Sequence, residues 1–183
     1  MMLLAAGAPA RLSAPVAWET AVARWLLFAG LCMALGGLAG RGLARQYKGR
    51  FPVSLPTPWA LRGSVLGAAA SAWLALIALS GAGLVTGLAH PSRLFTATPG
   101  VIAGVELISF AVAALLLRLR QPRWSVLPLI VVVVAEGVRA HPASIIPVVG
   151  ALITYCHLLP AALWAGMLLY ILRAAISWRD YPD

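Results

Sequence analysis

AHPASIIPVVGALITYCHLLPAALWAGMLLYIL, residues 140 to 172, decides how the chain is read. It holds two of the three histidines, one of the two cysteines, three prolines and a tryptophan inside an apolar run long enough to cross a bilayer. His157 lies ten residues past Pro147, the predicted first turn of a helix. At a helical rise of 1.5 Å per residue the imidazole sits about 15 Å deep, near the middle of a ~30 Å hydrocarbon core. An ionisable group at that depth is costly, so it is expected to face the bundle interior and to mark an ion, proton or metal site. Pro160 adds to this expectation, because it has no N–H to offer the carbonyl of Cys156, four residues back and beside His157.

Working outward, the whole chain shares the character of this stretch. Of 183 residues 62% are hydrophobic and only 10% charged, which places the chain among polytopic helical membrane proteins. The fold class expected is all-α, one transmembrane bundle over residues 1–183, with spans at about 20–40, 64–88, 99–117, 125–138 and 147–176. The first nineteen residues have no basic segment ahead of their short apolar run and do not read as a cleaved signal peptide. Cys32 and Cys156 both fall inside predicted spans, so a disulfide is not expected.

The net charge of +9 does not point to nucleic acid, since the basic residues cluster between apolar spans. The loop after the first span carries Arg41, Arg45, Lys48, Arg50 and Arg62, and the loop after the third carries Arg118, Arg120 and Arg123. The other two loops carry Arg93 and Arg139 alone. The positive-inside rule then predicts the N-terminus outside and the C-terminus in the cytoplasm, as an odd number of spans requires. On this topology His90, His141 and His157 lie on the outer side or in the outer half, together with Glu106, Glu136 and Arg24. The inner half has no ionisable residue away from its interface.

Each candidate has a bland reading beside the functional one. His157, flanked by Cys156 and Tyr155 and seven residues from Trp164, suits copper by its imidazole, or is a histidine hydrogen-bonded between helices. Cys156 and His157 are about 100° apart on a helix and cannot both point at one ion without distortion. His141 and His90 each precede a proline at a helix end, and are either surface metal ligands or solvated. Glu106 and Glu136, at similar depth on consecutive helices, could share a proton, bind a cation with histidine, or pair with Arg24 and Arg139. An unpaired charge in hydrocarbon is expensive, so Arg24 is expected to pair with one of the two carboxylates. GxxxG spacing occurs at Gly36/Gly40, Gly63/Gly67, Gly83/Gly87 and Gly100/Gly104, and predicts close helix packing. No phosphate-binding loop, nucleophile triad, CxxC or CxxCH is present, so no enzyme activity is expected, and one deep histidine does not support intramembrane haem.

The segment CHLLPAALWAGMLLYIL preceded by His141, together with TPGVIAGVELISFAVAALLLRLR (98–120) and RWLLFAGLCMALGG (24–37), resembles the copper-resistance protein D (CopD) family of bacterial inner-membrane proteins. The resemblance covers most of residues 80–183 and part of the first span. It implies copper handling at the periplasmic face, in uptake or tolerance, often beside a soluble periplasmic copper-binding partner of the CopC type. Glu106 stands where members of that family commonly have lysine, and no Met-rich tract is present. The expected ligands are His157 at depth and His141 at the surface, with Glu136 or Glu106 completing or tuning the site and His90 as a further candidate. Two rival expectations are a small non-catalytic subunit of a larger membrane complex, such as a respiratory one, and an electron-transfer or quinone-binding membrane protein.

Overall fold

The computed structural model describes residues 14–46, 55–79, 98–139 and 147–179. Every regular element among them is helical. The first rod consists of α1 (Ala14–Leu31), a π-helical turn (Cys32–Gly36) and α2 (Gly37–Gln46). It is followed by α3 (Ala60–Leu79), α4 (Thr98–Arg118), α5 (Val126–Arg139) and α6 (Pro147–Arg179). Four of these helices are long and apolar enough to cross a membrane: Trp18–Gln46, Ala60–Leu79, Pro99–Arg118 and Val148–Arg179. The fifth, α5, has 14 residues and is about 21 Å long, short of a ~30 Å hydrocarbon core. The expected span 64–88 is helical to Leu79, and its remainder lies outside the described residues.

The helices pack as a closed ring in which α3 lies on the first rod, α4 on α3, α5 on α4, and α6 on both α5 and the first rod. Fully buried Leu27, Leu31, Phe110, Leu129 and Val132 fill its centre. Large apolar side chains also cover the outside, among them Ile108, Leu115, Leu127, Ile153 and Ile171. Apolar on both faces, these helices match a lipid environment and not a water-facing surface.

Glycines set two of the close approaches. A methyl group added at Gly63 would lie 2.6 Å from the Gly30 carbonyl oxygen, and one at Gly30 would lie 2.7 Å from that of Gly63. Gly67 backs onto the ring of Phe110, so the Gly63/Gly67 pair is in contact with both neighbouring helices. Gly36 and Gly40 meet Gly166 and Tyr170 of α6. The Gly100/Gly104 pair does not behave alike, since a methyl at Gly104 would meet nothing within 4 Å. Gly83 and Gly87 lie outside the described residues.

These contacts also give the helix directions. Gly30 faces Gly67 while Gly37 faces Ala60, so α3 runs against the first rod. Gly36 faces Gly166 and Gly40 faces Tyr170, so α6 runs parallel to it. The turn between α4 and α5 makes those two antiparallel. In that turn Arg120 N–H donates to the Leu117 carbonyl (3.1 Å) and Gln121 N–H to that of Leu116 (2.8 Å), the paired bonds of a Schellman cap. Arg120 occupies its left-handed position, with φ 58°, where glycine is usual and another L-residue costs roughly 1–2 kcal/mol.

Candidate functional site

Glu106 and Arg139 are placed opposite each other by the length of their hairpin. Their numbers are symmetric about 122.5, inside the 119–125 turn, so two antiparallel helices without offset bring them level. Glu136 precedes Arg139 by three residues on α5 and so shares its face. The result is a carboxylate–guanidinium–carboxylate triad. Arg139 Nη2 donates to Glu106 Oε1 and lies 2.9 Å from Glu136 Oε1, the second contact being an ion pair without hydrogen-bond geometry. Glu106 is fully buried and Glu136 nearly so. Glu106 Oε2 and Arg139 Nε have no hydrogen-bond partner among the described residues.

Of the pairings open to the two carboxylates, the structure forms the one with Arg139 and not the expected one with Arg24. Arg24 is exposed on α1 and has no ion-pair partner among the described residues. It instead lines a groove of about 370 Å³ together with Phe28, Glu136, Thr154, His157 and Leu158. Glu136 therefore belongs to both places, joining the buried triad to the groove. With all three groups of the triad ionised, two carboxylates against one guanidinium leave one negative charge unmatched. A proton or cation taken up there, or Arg24 and His157 across the groove, can balance it.

His157 itself departs from the expectation of an inward-facing imidazole, for it is exposed on the outer surface of the bundle. Its face of α6 lost the competition for packing. The buried stripe of that helix is Ala162, Gly166, Tyr170 and Ala174, stepping four residues at a time. Small residues there let backbones approach, and His157, nine residues before Gly166, is half a turn round. Trp164, seven residues on from His157, follows it outward at 66% exposure. Cys156 is exposed, and the helix runs through Pro160 without a break.

His141 and His90 lie outside the described residues. Among the described residues no group of three or more His, Cys, Asp or Glu side chains is gathered to hold a metal ion. Of the expected ligands the structure brings Glu136 and His157 to one groove and joins Glu136 to Glu106 through Arg139.

Tyr155 is the functional neighbour least evident from sequence. Its ring covers Gly137, directly between Glu136 and Val138, and its hydroxyl donates to the Val134 carbonyl at 3.3 Å. It fixes α6 against α5 beside the triad, and its signal was its place two residues before His157. No family model, curated protein or solved structure matches this chain.

Proposed function

We propose that the chain is a five-span inner-membrane protein, N-terminus outside and C-terminus in the cytoplasm, that takes up a metal cation, copper first, in its outer half. One observation carries this reading. The buried pair Glu106 and Glu136 is held by a single guanidinium and opens, through Glu136, onto a groove that also bears His157. Two carboxylates on one guanidinium, with an imidazole across the groove, can take up a cation or a proton when both are ionised, and the CopD resemblance names copper as the cargo. In this reading His157 receives the ion at the groove, His141 and His90 serve from the outer loops, and Glu136 with Glu106 tunes the charge. A CopC-type partner would deliver copper from the periplasm. The antiparallel α3, the antiparallel pair α4 and α5, and the parallel α6 are consistent with five crossings.

Metal analysis of the purified protein tests the proposal, with His157→Ala and His157→Asn beside it. Asparagine can hydrogen-bond but is a poor copper ligand, so both variants should lose copper while thermal stability in detergent stays normal. Copper retained at wild-type stoichiometry in both variants, or a wild-type protein that never carries it, overturns the reading.

A second reading has its own observation. His157 and Cys156 face outward on α6, and in lipid an outward imidazole is costly unless another helix covers it. A covering helix would make the chain an accessory subunit of a larger membrane complex. A stoichiometric partner in mild-detergent purification, lost when Trp164 and His157 are replaced by leucine, would favour this reading over the first.

A further inference from the structure

At the opposite end of the bundle from the triad, three elements converge on a cleft of about 470 Å³. The end of α2 contributes Arg41 and Arg45, and the turn between α4 and α5 contributes Arg120 and Arg123. Leu38 and Leu61 form part of its apolar wall. A topology signal requires only that arginines lie on one side of the membrane. It does not require four of them from two separate loops to line one cavity.

Two further observations set Arg41 and Arg120 apart from ordinary solvated loop charges. Arg41 Nε is buried and has no hydrogen-bond partner among the described residues. Arg120 holds the left-handed position of the helix cap, where glycine would be favoured, so its side chain is kept at the cleft against a local backbone cost. Nor does the chain have enough acid to neutralise the cluster. Ten of its fourteen basic residues fall at this end in sequence, and the only acidic side chains there are Asp180 and Asp183. Among the described residues none of the four cleft arginines forms an ion pair.

The geometry points to this cleft as a binding site for a phosphate group, supplied either by the headgroup of an anionic phospholipid or by a soluble phosphate. Guanidinium forks match phosphate oxygens in two-point hydrogen bonding, and basic pockets between membrane helices are suited to anionic headgroups. The leucines of the wall would meet the glycerol and first methylenes of a lipid, and they would gain nothing from inorganic phosphate. The site is independent of the cation and of its ligands at the other end.

The full-length protein in nanodiscs of neutral phosphatidylcholine, with and without anionic phosphatidylglycerol, provides the test, read as thermal unfolding and as lipid retained on native mass spectrometry. In the lipid arm, phosphatidylglycerol raises the unfolding temperature and is retained, while millimolar inorganic phosphate in neutral discs has no effect. In the soluble arm, inorganic phosphate raises it in neutral discs. Arg120→Gly is the deciding variant, because glycine relieves the cap and should preserve folding. It should weaken the response about fivefold, and Arg120→Gly with Arg45→Gln about twenty-five-fold. Absence of both responses in the wild-type protein overturns the proposal, and so does an Arg120→Gly/Arg45→Gln variant that responds like wild type.

Discussion

Arg139 bridges two carboxylates that cannot both be left alone in an apolar interior. Removing it by Arg139→Met should cost about 3–5 kcal/mol, the range for breaking a buried pair and stranding its partner. The triple variant Glu106→Gln/Glu136→Gln/Arg139→Met should recover most of the loss, since it removes every charge together. Thermal stability in detergent checks both, and a triple variant no more stable than Arg139→Met would contradict the charge account. Glu106 and Glu136 were legible in the sequence because carboxylates are so few. Arg139 was legible as one available partner, but its place in a loop and the pull of Arg24 hid its priority. The deciding signals were present, namely the three-residue spacing to Glu136 and the hairpin symmetry with Glu106. The outward face of His157 was not legible, because depth along a helix says nothing about rotation around it.

At the scale of elements, helix contact is governed by where backbones come together. Gly166 backs onto the π-helical turn, its added methyl colliding with the Cys32 carbonyl and lying 2.7 Å from Gly36 Cα. Gly166→Val should therefore separate α6 from the first rod and abolish a monodisperse peak in size-exclusion chromatography. Gly104→Ala should leave both the peak and thermal stability within about 1 kcal/mol of wild type, since nothing occupies its space. If the two variants behave alike, close approach at Gly166 is not what holds α6. Helix existence was readable from apolar runs and prolines, and some bounds with it: 147–176 was expected and Pro147–Arg179 is found, whereas the first rod runs from Ala14 to Gln46 against an expected 20–40. The π turn at Cys32–Gly36, which lies against the Gly166 backbone, was not readable, because no local periodicity marks it.

At the scale of the molecule, the far end of α6 is tied to the segment that enters α3 by Tyr170, whose hydroxyl donates to the Pro56 carbonyl at 3.2 Å, and by Arg173 stacked 4.8 Å over the Trp59 ring. These residues gather at the arginine-rich end, as aromatic and basic anchors do at a membrane–water boundary. A reporter active only outside the cytoplasm, fused after Asp183, should stay silent; strong activity would reverse the proposed orientation and with it the outer placement of the Glu136 groove. The all-helical class and the membrane character were written into composition, whereas ring closure depends on contacts between segments far apart in the chain.

That closure has a consequence in time. The seam joins Gly36 to Gly166, 130 residues later. At a synthesis rate of about 5–20 residues per second, roughly 7–26 s separate the two glycines as they emerge. Through that interval the first rod stands in the bilayer with its glycine face turned to lipid, awaiting its parallel mate. The nascent bundle is an open crescent until its last helix arrives.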